Sequence, residues 1–215
     1  VSFIVAMSTD GTYLNKATMS YMVGLTPKTL DSNQTSTVRD TIQPTTSIVS
    51  MPPDPSNSSS ATFGFTSNEP LATFECRMDS GAWAACANPA TFLGLSDATH
   101  TLYARARDLA GNTDQTPASY TWVIDTAPPD TSIVSGPPAA TSDLNATFLF
   151  SATEGGVSYE CSLDGASYDP CTNPVTFGPF ADGAHTLNVR AGDTAGNADP
   201  TPASSAWTVD TVAPD

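Results

Sequence analysis

The chain repeats itself at an interval of 85 residues, and this duplication limits the folds that are open to it. Moving the sequence along by 85 positions aligns it with itself without a gap, and about 40 of the 85 aligned positions are identical. "TSIVS" at 46 returns at 131, and "HTLYARARDLAGN" at 100 returns as "HTLNVRAGDTAGN". A unit of this length can enclose its own core, whereas solenoid repeats are about 20 to 50 residues long. The sequence therefore predicts two copies of one complete domain.

The repeat also sets the expected domain boundaries. We expect the first repeat to span residues 41–125 and the second to span 126–210, with a separate β-rich segment at residues 1–40. The chain closes on "DTVAPD", which matches the "DTAPPD" that joins the two copies. Residues 211–215 are therefore predicted to begin a linker to a further repeat.

Within each copy the apolar residues alternate with polar ones. Phe63 and Phe65 share a face, as do Trp122 and Ile124, and Pro, Gly and Asn separate the short runs. Strict alternation over short runs is typical of antiparallel strands with one buried face. We predict an all-β fold of tandem immunoglobulin-like β-sandwiches with about seven strands each, in the first copy near 46–50, 61–67, 72–78, 82–86, 90–93, 99–108 and 118–124.

Four motifs make residues 41 to 215 resemble the bacterial immunoglobulin-like repeats found in tandem arrays in large surface and secreted proteins. They are the "DTAPPDTSI" linker, the "FECRMD" hairpin with its second cysteine, the "DGAHTL" strand entry and the turn "RARDLAGN" or "RAGDTAGN". The resemblance implies the fold and an extracellular location. It leaves function open, since such modules serve in adhesins, in stalks and beside secreted enzymes.

The four cysteines lie two to a copy and allow three pairings. Bonds between copies would violate the limit of about 7 Å on the Cα separation, so we expect one disulfide within each copy. The expected pairs are Cys76 with Cys86 and Cys161 with Cys171. Hairpins centred on Gly81 and Ala166 would place the two cysteines of each pair across from each other. A metal site is the alternative, but two thiols without a nearby histidine make a poor zinc set. Disulfides imply an oxidising compartment, and hence secretion or the cell surface.

The charge excludes two classes of partner. The chain has 22 acidic and 7 basic residues and a net charge of −15. Nucleic-acid binding needs clustered Lys and Arg, and anionic membrane surfaces repel an acidic protein. The sequence also has no run of about 18 apolar residues that would span a membrane.

No catalytic motif is found, and we predict that the chain is not an enzyme. The two histidines, His100 and His185, occupy equivalent positions, which favours a structural bond to a turn over catalysis. Trp122 and Trp207 lie at predicted buried positions. Trp83 has Tyr168 as its counterpart, and a lone aromatic residue is weak support for sugar binding.

Calcium is an alternative reading of the acidic turns. Asp108, Asn112 and Asp114 recur as Asp193, Asn197 and Asp199, and Asp125 and Asp130 flank the linker. Oxygen ligands at a junction could bind calcium and stiffen an array. The same residues suit a tight turn, and the ligand spacing of a calcium loop is not met, so no cofactor is predicted. Three sequons, at Asn33, Asn57 and Asn145, permit glycosylation without deciding it.

Residues 1–40 are predicted to form about three strands with an apolar face and no second sheet. Three readings are open: a truncated domain, a disordered leader, or a segment that completes the sandwich of a neighbouring copy by strand addition. In the last case the partners are other copies of the same protein.

The leading hypothesis for the whole chain is a non-catalytic stalk or filament at the cell surface, involved in adhesion or assembly. The alternative is a set of spacer or substrate-binding accessory modules of a secreted polysaccharide-degrading enzyme. A third reading, an adhesin with a glycan or other cell-surface receptor, requires a cluster of exposed aromatic residues that the sequence does not show.

Overall fold

A computed structural model of the chain shows an all-β protein, which confirms the predicted fold class. The structure describes residues 40–213 and Leu25 with their side chains. Before residue 40 it otherwise describes the backbone of five strands. Within the described residues, no helix is long and apolar enough to cross a membrane.

The first repeat forms the seven strands that the sequence predicted, each within two residues of its expected bounds. They are β6 (Thr46–Ser50), β7 (Ala61–Ser67), β8 (Thr73–Met78), β9 (Ala84–Cys86), β10 (Ala90–Phe92), β11 (Ala98–Arg107) and β12 (Ala118–Ile124). The strands form a three-stranded sheet, β10-β7-β6, and a four-stranded sheet, β12-β11-β8-β9.

The second repeat has the same two sheets and one further strand. Its strands are β13 (Thr131–Ser135), β14 (Ala140–Thr141), β15 (Ala146–Ala152), β16 (Ser158–Leu163), β17 (Asp169–Cys171), β18 (Val175–Phe177), β19 (Gly183–Gly192) and β20 (Ala203–Val209). The orders are β13-β15-β18 and β14-β20-β19-β16-β17. The short β14 pairs in parallel with β20, and the sequence did not predict it because two residues carry no alternation. In the first repeat a single parallel bridge between Ser56 and Ile124 takes its place.

The core of the second repeat is built from alternate residues of the facing strands. Phe148, Leu187 and Val189 are fully buried, and the Phe148 ring centroid lies 5.3 Å from that of Trp207. The equivalent Phe63, Leu102 and Trp122 of the first repeat are also buried. Alternation places successive side chains on opposite faces, so each strand contributes every second residue to the core.

The residues described before Asp40 form five strands, where the sequence predicted about three. They are β1 (Ser2–Phe3), β2 (Gly11–Asn15), β3 (Ala17–Val23), β4 (Thr26–Asp31) and β5 (Thr35–Arg39). They form a three-stranded sheet, β1-β3-β4, and a separate pair, β2-β5. The expectation of a segment without a second sheet is therefore wrong. The sequence showed too little alternation in "TPKTLD" to mark β4 as a strand.

The chain divides into two compact units. One comprises residues 1–51, 62–91 and 101–120, and the other comprises residues 52–61, 92–100 and 121–215. The division crosses the first repeat, so the boundaries expected from the sequence at 40/41 and 125/126 remain predictions.

Candidate functional site at the junction of the repeats

The linker after Asp125 is hydrogen-bonded on both sides. Thr126 Oγ1 donates to the carboxylate of Asp97 in the first repeat, at 2.9 and 3.1 Å from its two oxygens. On the other side, Asn197 Nδ2 donates to the carbonyl oxygen of Asp125 at 2.8 Å. Both repeats therefore contact the linker through side chains that recur in the sequence.

The far end of the linker is bonded to the second repeat. The N–H of Asp130 donates to Thr153 Oγ1 at 2.9 Å, and the N–H of Thr153 donates back to the Asp130 carbonyl at 3.0 Å. The N–H of Thr131 donates to the carboxylate of Asp199 at 2.8 Å. Pro129, the second of two consecutive prolines, is fully buried, and proline fixes φ. The linker is thus a bonded part of the structure.

The "DxAGN" turn holds Asn197 in place for its bond to the linker. The carboxylate of Asp193 accepts hydrogen bonds from the N–H of Asn197 at 2.8 Å and from its Nδ2 at 2.7 Å. Gly196 has a φ of +96°, which suits glycine because it lacks a Cβ. Asp108 and Asn112 form the same turn in the first repeat, where Asn112 donates to the carbonyl of Asp40 at 3.1 Å.

Hydrogen bonds control the pKa values of these aspartates. Burial would raise the pKa of Asp193, but hydrogen bonds from the side chain and backbone of Asn197 outweigh it and lower the pKa. Burial would likewise raise the pKa of Asp199, but hydrogen bonds from Thr131 and Thr201 outweigh it and lower the pKa. Each of these carboxylates is therefore held in its charged form as the acceptor of the turn or of the linker.

Three carboxylates meet beside the linker. Oxygen atoms of Asp125, Glu154 and Asp193 all lie within 4.8 Å of one another, and all three residues are half-buried. Burial, and then the charges of Asp125 and Asp193, raise the pKa of Glu154. The same residue types recur 85 positions earlier at 40, 69 and 108.

This cluster differs from the acidic set that the sequence suggested for calcium. The cluster includes Glu154, which the predicted set lacks, and it does not include Asp130, which is exposed. Asp199 is bonded to Thr131 and Thr201. Calcium takes about six to eight oxygen ligands, more than three carboxylates supply by themselves. Hydrogen bonds within the turn and to the linker account for the positions of Asp193 and Asp199.

Both expected disulfides are present. They join Cys76 to Cys86 and Cys161 to Cys171, with Cα separations of 5.7 and 5.8 Å. The hairpins are centred one residue earlier than predicted, on Ser80 and Gly165, so the cysteines do not lie directly across from each other. Cys86 pairs with Phe74 and Cys76 with Ala84, and the second hairpin has the equivalent register, so each disulfide runs diagonally across its hairpin. The chain-entropy model gives a loop of this size about 3 kcal/mol of stabilisation.

The histidines and the buried tryptophans have structural surroundings. His100 Nε2 lies 2.9 Å from the Ser96 carbonyl, and His185 Nε2 lies 3.0 Å from the Ala181 carbonyl. Their ring centroids lie 5.9 Å from Trp122 and 5.7 Å from Trp207. The expected bond to a turn is therefore present in both repeats.

Of the three sequons, those at Asn57 and Asn145 lie on exposed residues. Asn33 lies outside the described residues.

The sequence reasoning missed one group of residues. Trp83 is half-buried beneath the guanidinium groups of Arg77 and Arg105, and Tyr103 lies beside Arg77. Arg77 and Tyr103 are far apart along the chain, and the register of β8 and β11 brings them together. The difference between the two repeats could have identified these residues, since Arg77 and Tyr103 are replaced by Ser162 and Asn188 in the second copy.

Comparison with solved structures gives the fold a wider context. The fibronectin III-like modules of CbhA from Clostridium thermocellum match with a TM-score of 0.51 and 18% identity, over 77% of this chain and 94% of that one. The repeats are immunoglobulin-like sandwiches. Murine CEACAM1b matches with a TM-score of 0.43 and 11% identity, over 77% of this chain and 99% of that one. At these identities the likeness shows the fold alone.

A calcium-stabilised, ice-binding adhesin of an Antarctic bacterium also matches, with a TM-score of 0.39 and 18% identity over 93% of this chain and 57% of that one. No protein-family model and no curated protein matches the sequence.

Proposed function

We propose that the protein is a non-catalytic structural component of the cell surface, in which tandem immunoglobulin-like modules form part of a stalk or filament used in adhesion or assembly. The observation that carries this proposal is the bonded linker. Thr126 contacts the first repeat, while Asp125 and Thr131 are bonded to the second. A linker with these bonds restricts the movement of one module relative to the next, as a stalk requires.

An extracellular location is supported by the two disulfides. Disulfides persist in oxidising compartments and are rare in the cytosol. The strongly acidic repeats would remain solvated and repel one another, which favours separate stalks over lateral aggregation.

The linker itself provides the test. Backbone order parameters from NMR relaxation should be about 0.85 through residues 126–131, the value of a rigid backbone, and not below about 0.6 as in a flexible tether. Replacing Thr126 and Asn197 with alanine should lower them. As a matched control, the Asn188→Ala variant removes a half-buried asparagine of the second repeat whose side chain has no hydrogen-bond partner among the described residues. A linker that is flexible in the unmodified protein would contradict the structural role and favour simple spacers beside an enzyme.

We also propose that residues 1–40 contact other copies of the protein by strand addition. The five strands form small sheets, and among the described strands β4 pairs only with β3. An edge of this kind accepts a further strand. Head-to-tail contacts that do not close on themselves propagate into a filament.

Sedimentation and electron microscopy of the full chain and of a chain beginning at Thr41 test this assembly. We expect concentration-dependent association of the full chain only. Two monomeric proteins at high concentration would reject strand addition and leave the proposal of a structural stalk intact.

A further inference from the structure

One face of the four-stranded sheet in the first repeat concentrates positive charge. Its outward side chains come from β8 and β11, where the register pairs Arg77 with Tyr103 and Glu75 with Arg105. The intervening residues, such as Cys76 and Ala104, are buried in the core. We call this surface the arginine face, and it consists of Glu75, Arg77, Trp83, Tyr103, Arg105 and Arg107.

Aromatic rings hold two of the guanidinium groups in place. The guanidinium carbon of Arg77 lies 4.3 Å from the ring centroid of Tyr103 and 5.2 Å from that of Trp83. The guanidinium carbon of Arg105 lies 4.2 Å from the ring of Trp83. Such cation–π contacts restrict a long side chain and present the edges of its guanidinium to a ligand.

The arginine face carries unpaired charge. Arg105 is neutralised by Glu75, with Nη2 and Oε2 2.7 Å apart. In the part of the chain that the structure describes, no carboxylate forms an ion pair with Arg77 or Arg107, and the buried Nε of Arg77 has no hydrogen-bond partner. Three of the four arginines beyond residue 40 lie on this face, in a protein whose net charge is −15.

The second repeat shows which of these residues the fold requires. Arg190 is bonded to Glu160 at 2.7 Å and lies 4.3 Å from the ring of Tyr168, so the paired arginine and one ring are common to both repeats. The other positions differ. Arg77, Tyr103 and Arg107 correspond to Ser162, Asn188 and Gly192. Since the second sandwich forms without them, stability of the fold does not explain the extra arginines and tyrosine.

We propose that the arginine face binds an extended polysaccharide rich in uronic acid. A guanidinium group matches a carboxylate with two parallel hydrogen bonds, and stacking on an aromatic ring leaves these donors at the edge of the guanidinium free for the ligand. A uronic acid unit combines a sugar ring with a carboxylate, and a β-sheet face accommodates an extended chain. This ligand-binding function goes beyond the structural role proposed above and does not depend on it.

The charge of the whole protein limits this interaction to close range. At physiological ionic strength the Debye length is about 8 Å, so carboxylates beyond that distance are largely screened, whereas direct contacts at the arginine face are screened much less. Further addition of salt shortens the Debye length and should weaken binding, because it also screens the contacts between exposed guanidinium groups and ligand carboxylates.

The full chain can be titrated with polygalacturonate and, in parallel, with the same polymer after methyl esterification of its carboxylates. Trp83 provides a spectroscopic signal for binding, because Trp122 and Trp207 are only 1% and 2% exposed. We expect polygalacturonate to change tryptophan fluorescence and to release heat in calorimetry. The esterified polymer should do neither.

Two variants separate the arginine face from the rest of the protein. The double variant R77S and R107G introduces the residues that the second repeat has at these positions, so it should retain the fold. It should bind polygalacturonate at least about tenfold more weakly. A tenfold loss of affinity corresponds to about one charge-assisted hydrogen bond. R190S removes one positive charge from the second repeat and should bind like the unmodified protein.

Three results would overturn the proposal. The first is that the charged and the esterified polymer bind equally well, or that neither polymer binds. The second is equal loss of affinity in R190S and the double variant, which would indicate a general charge effect. The third is preferential binding of poly-glutamate, or salt-sensitive self-association that R77S and R107G abolish, since either would identify a protein as the occupant.

Discussion

Asn197 donates a hydrogen bond of 2.8 Å to the backbone carbonyl of Asp125, and Asn112 makes the equivalent bond of 3.1 Å to Asp40. The asparagine belongs to a turn, and the carbonyl belongs to the segment that precedes the repeat. Because an asparagine side chain has two N–H donors, the same Nδ2 also bonds its own aspartate, at 2.7 Å in both turns. One residue thereby couples the turn to the linker in each repeat.

Replacing Asn197 with alanine should destabilise the second repeat by about 1–2 kcal/mol. The substitution removes the bonds to Asp125 and Asp193 and leaves two acceptors without this donor. Urea unfolding followed by circular dichroism measures the change. The Asn188→Ala control should change stability by no more than about 0.5 kcal/mol. Equal effects of the two substitutions would show that the bond to the linker contributes nothing specific.

Trp207→Ala should destabilise the second repeat by about 3–5 kcal/mol, the range for truncating a large buried aromatic residue. Trp207 is 2% exposed, and its ring centroid lies 5.3 Å from those of Phe148 and Phe180. A domain of this size has about 5–10 kcal/mol in all, so scanning calorimetry should show one weakened transition while the first repeat persists. Trp122→Ala should have the converse effect.

Trp207→Phe is the matched control for the loss of volume. The indole N–H of Trp207 is buried without a hydrogen-bond partner among the described residues, so phenylalanine gives up no such bond. It should cost less than alanine. Equal costs would show that packing of the ring is not what stabilises the repeat.

Stability of the second repeat should depend on the protonation of His185. Its Nε2 faces the Ala181 carbonyl and its Nδ1 lies 2.8 Å from Asp164, so only the protonated ring donates both bonds. These two acceptors raise the pKa of His185 above its usual value of 6.5. A raised pKa adds stability that is complete below about pH 6.5 and is lost as the pH rises through the folded-state value.

Asp164→Asn should lower the pKa of His185, as measured by NMR titration of the ring protons, and should flatten the decline in stability on the alkaline side. Asp169→Asn removes an exposed carboxylate from the same repeat and serves as the control. Asp164 affects stability in acid. Burial raises its pKa, but hydrogen bonds from His185 and Thr186 outweigh burial, so the pKa is lowered. Its contribution is therefore lost as the pH falls through that lowered value. An unchanged His185 titration in Asp164→Asn would contradict this account.

Glu154→Gln should stabilise the second repeat at neutral pH. Burial and the charges of Asp125 and Asp193 raise the pKa of Glu154, so ionisation costs stability as the pH rises above the usual value of 4.5. The gain should disappear in acid, where the glutamate is protonated. Thermal unfolding at several pH values measures it, with Asp143→Asn as the control for removing one negative charge.

The same two proteins test calcium. If the three carboxylates bind the ion, added calcium should raise the melting temperature of the unmodified protein more than that of Glu154→Gln. No heat of binding and no change in melting temperature in either protein would exclude calcium from this cluster.

The sequence by itself determined the fold and the position of most strands. Alternation at residues such as Phe63, Phe65 and Leu102 needs only the period of two of an extended chain, and each repeat supplied an independent copy of the pattern. The spacing of the cysteines within each copy likewise predicted their partners. These features depend on neighbours along the chain, so no tertiary information was required.

Tertiary structure decided which distant residues meet. The register between β8 and β11 places Arg77 beside Tyr103, and folding of the second repeat brings Glu154 and Asp193 to Asp125. It also determined how the five strands described before Asp40 pair, since a single sequence does not specify their partners. Strand register and sheet order depend on contacts between residues far apart in the chain, whereas periodicity records only which residues of one strand share a face.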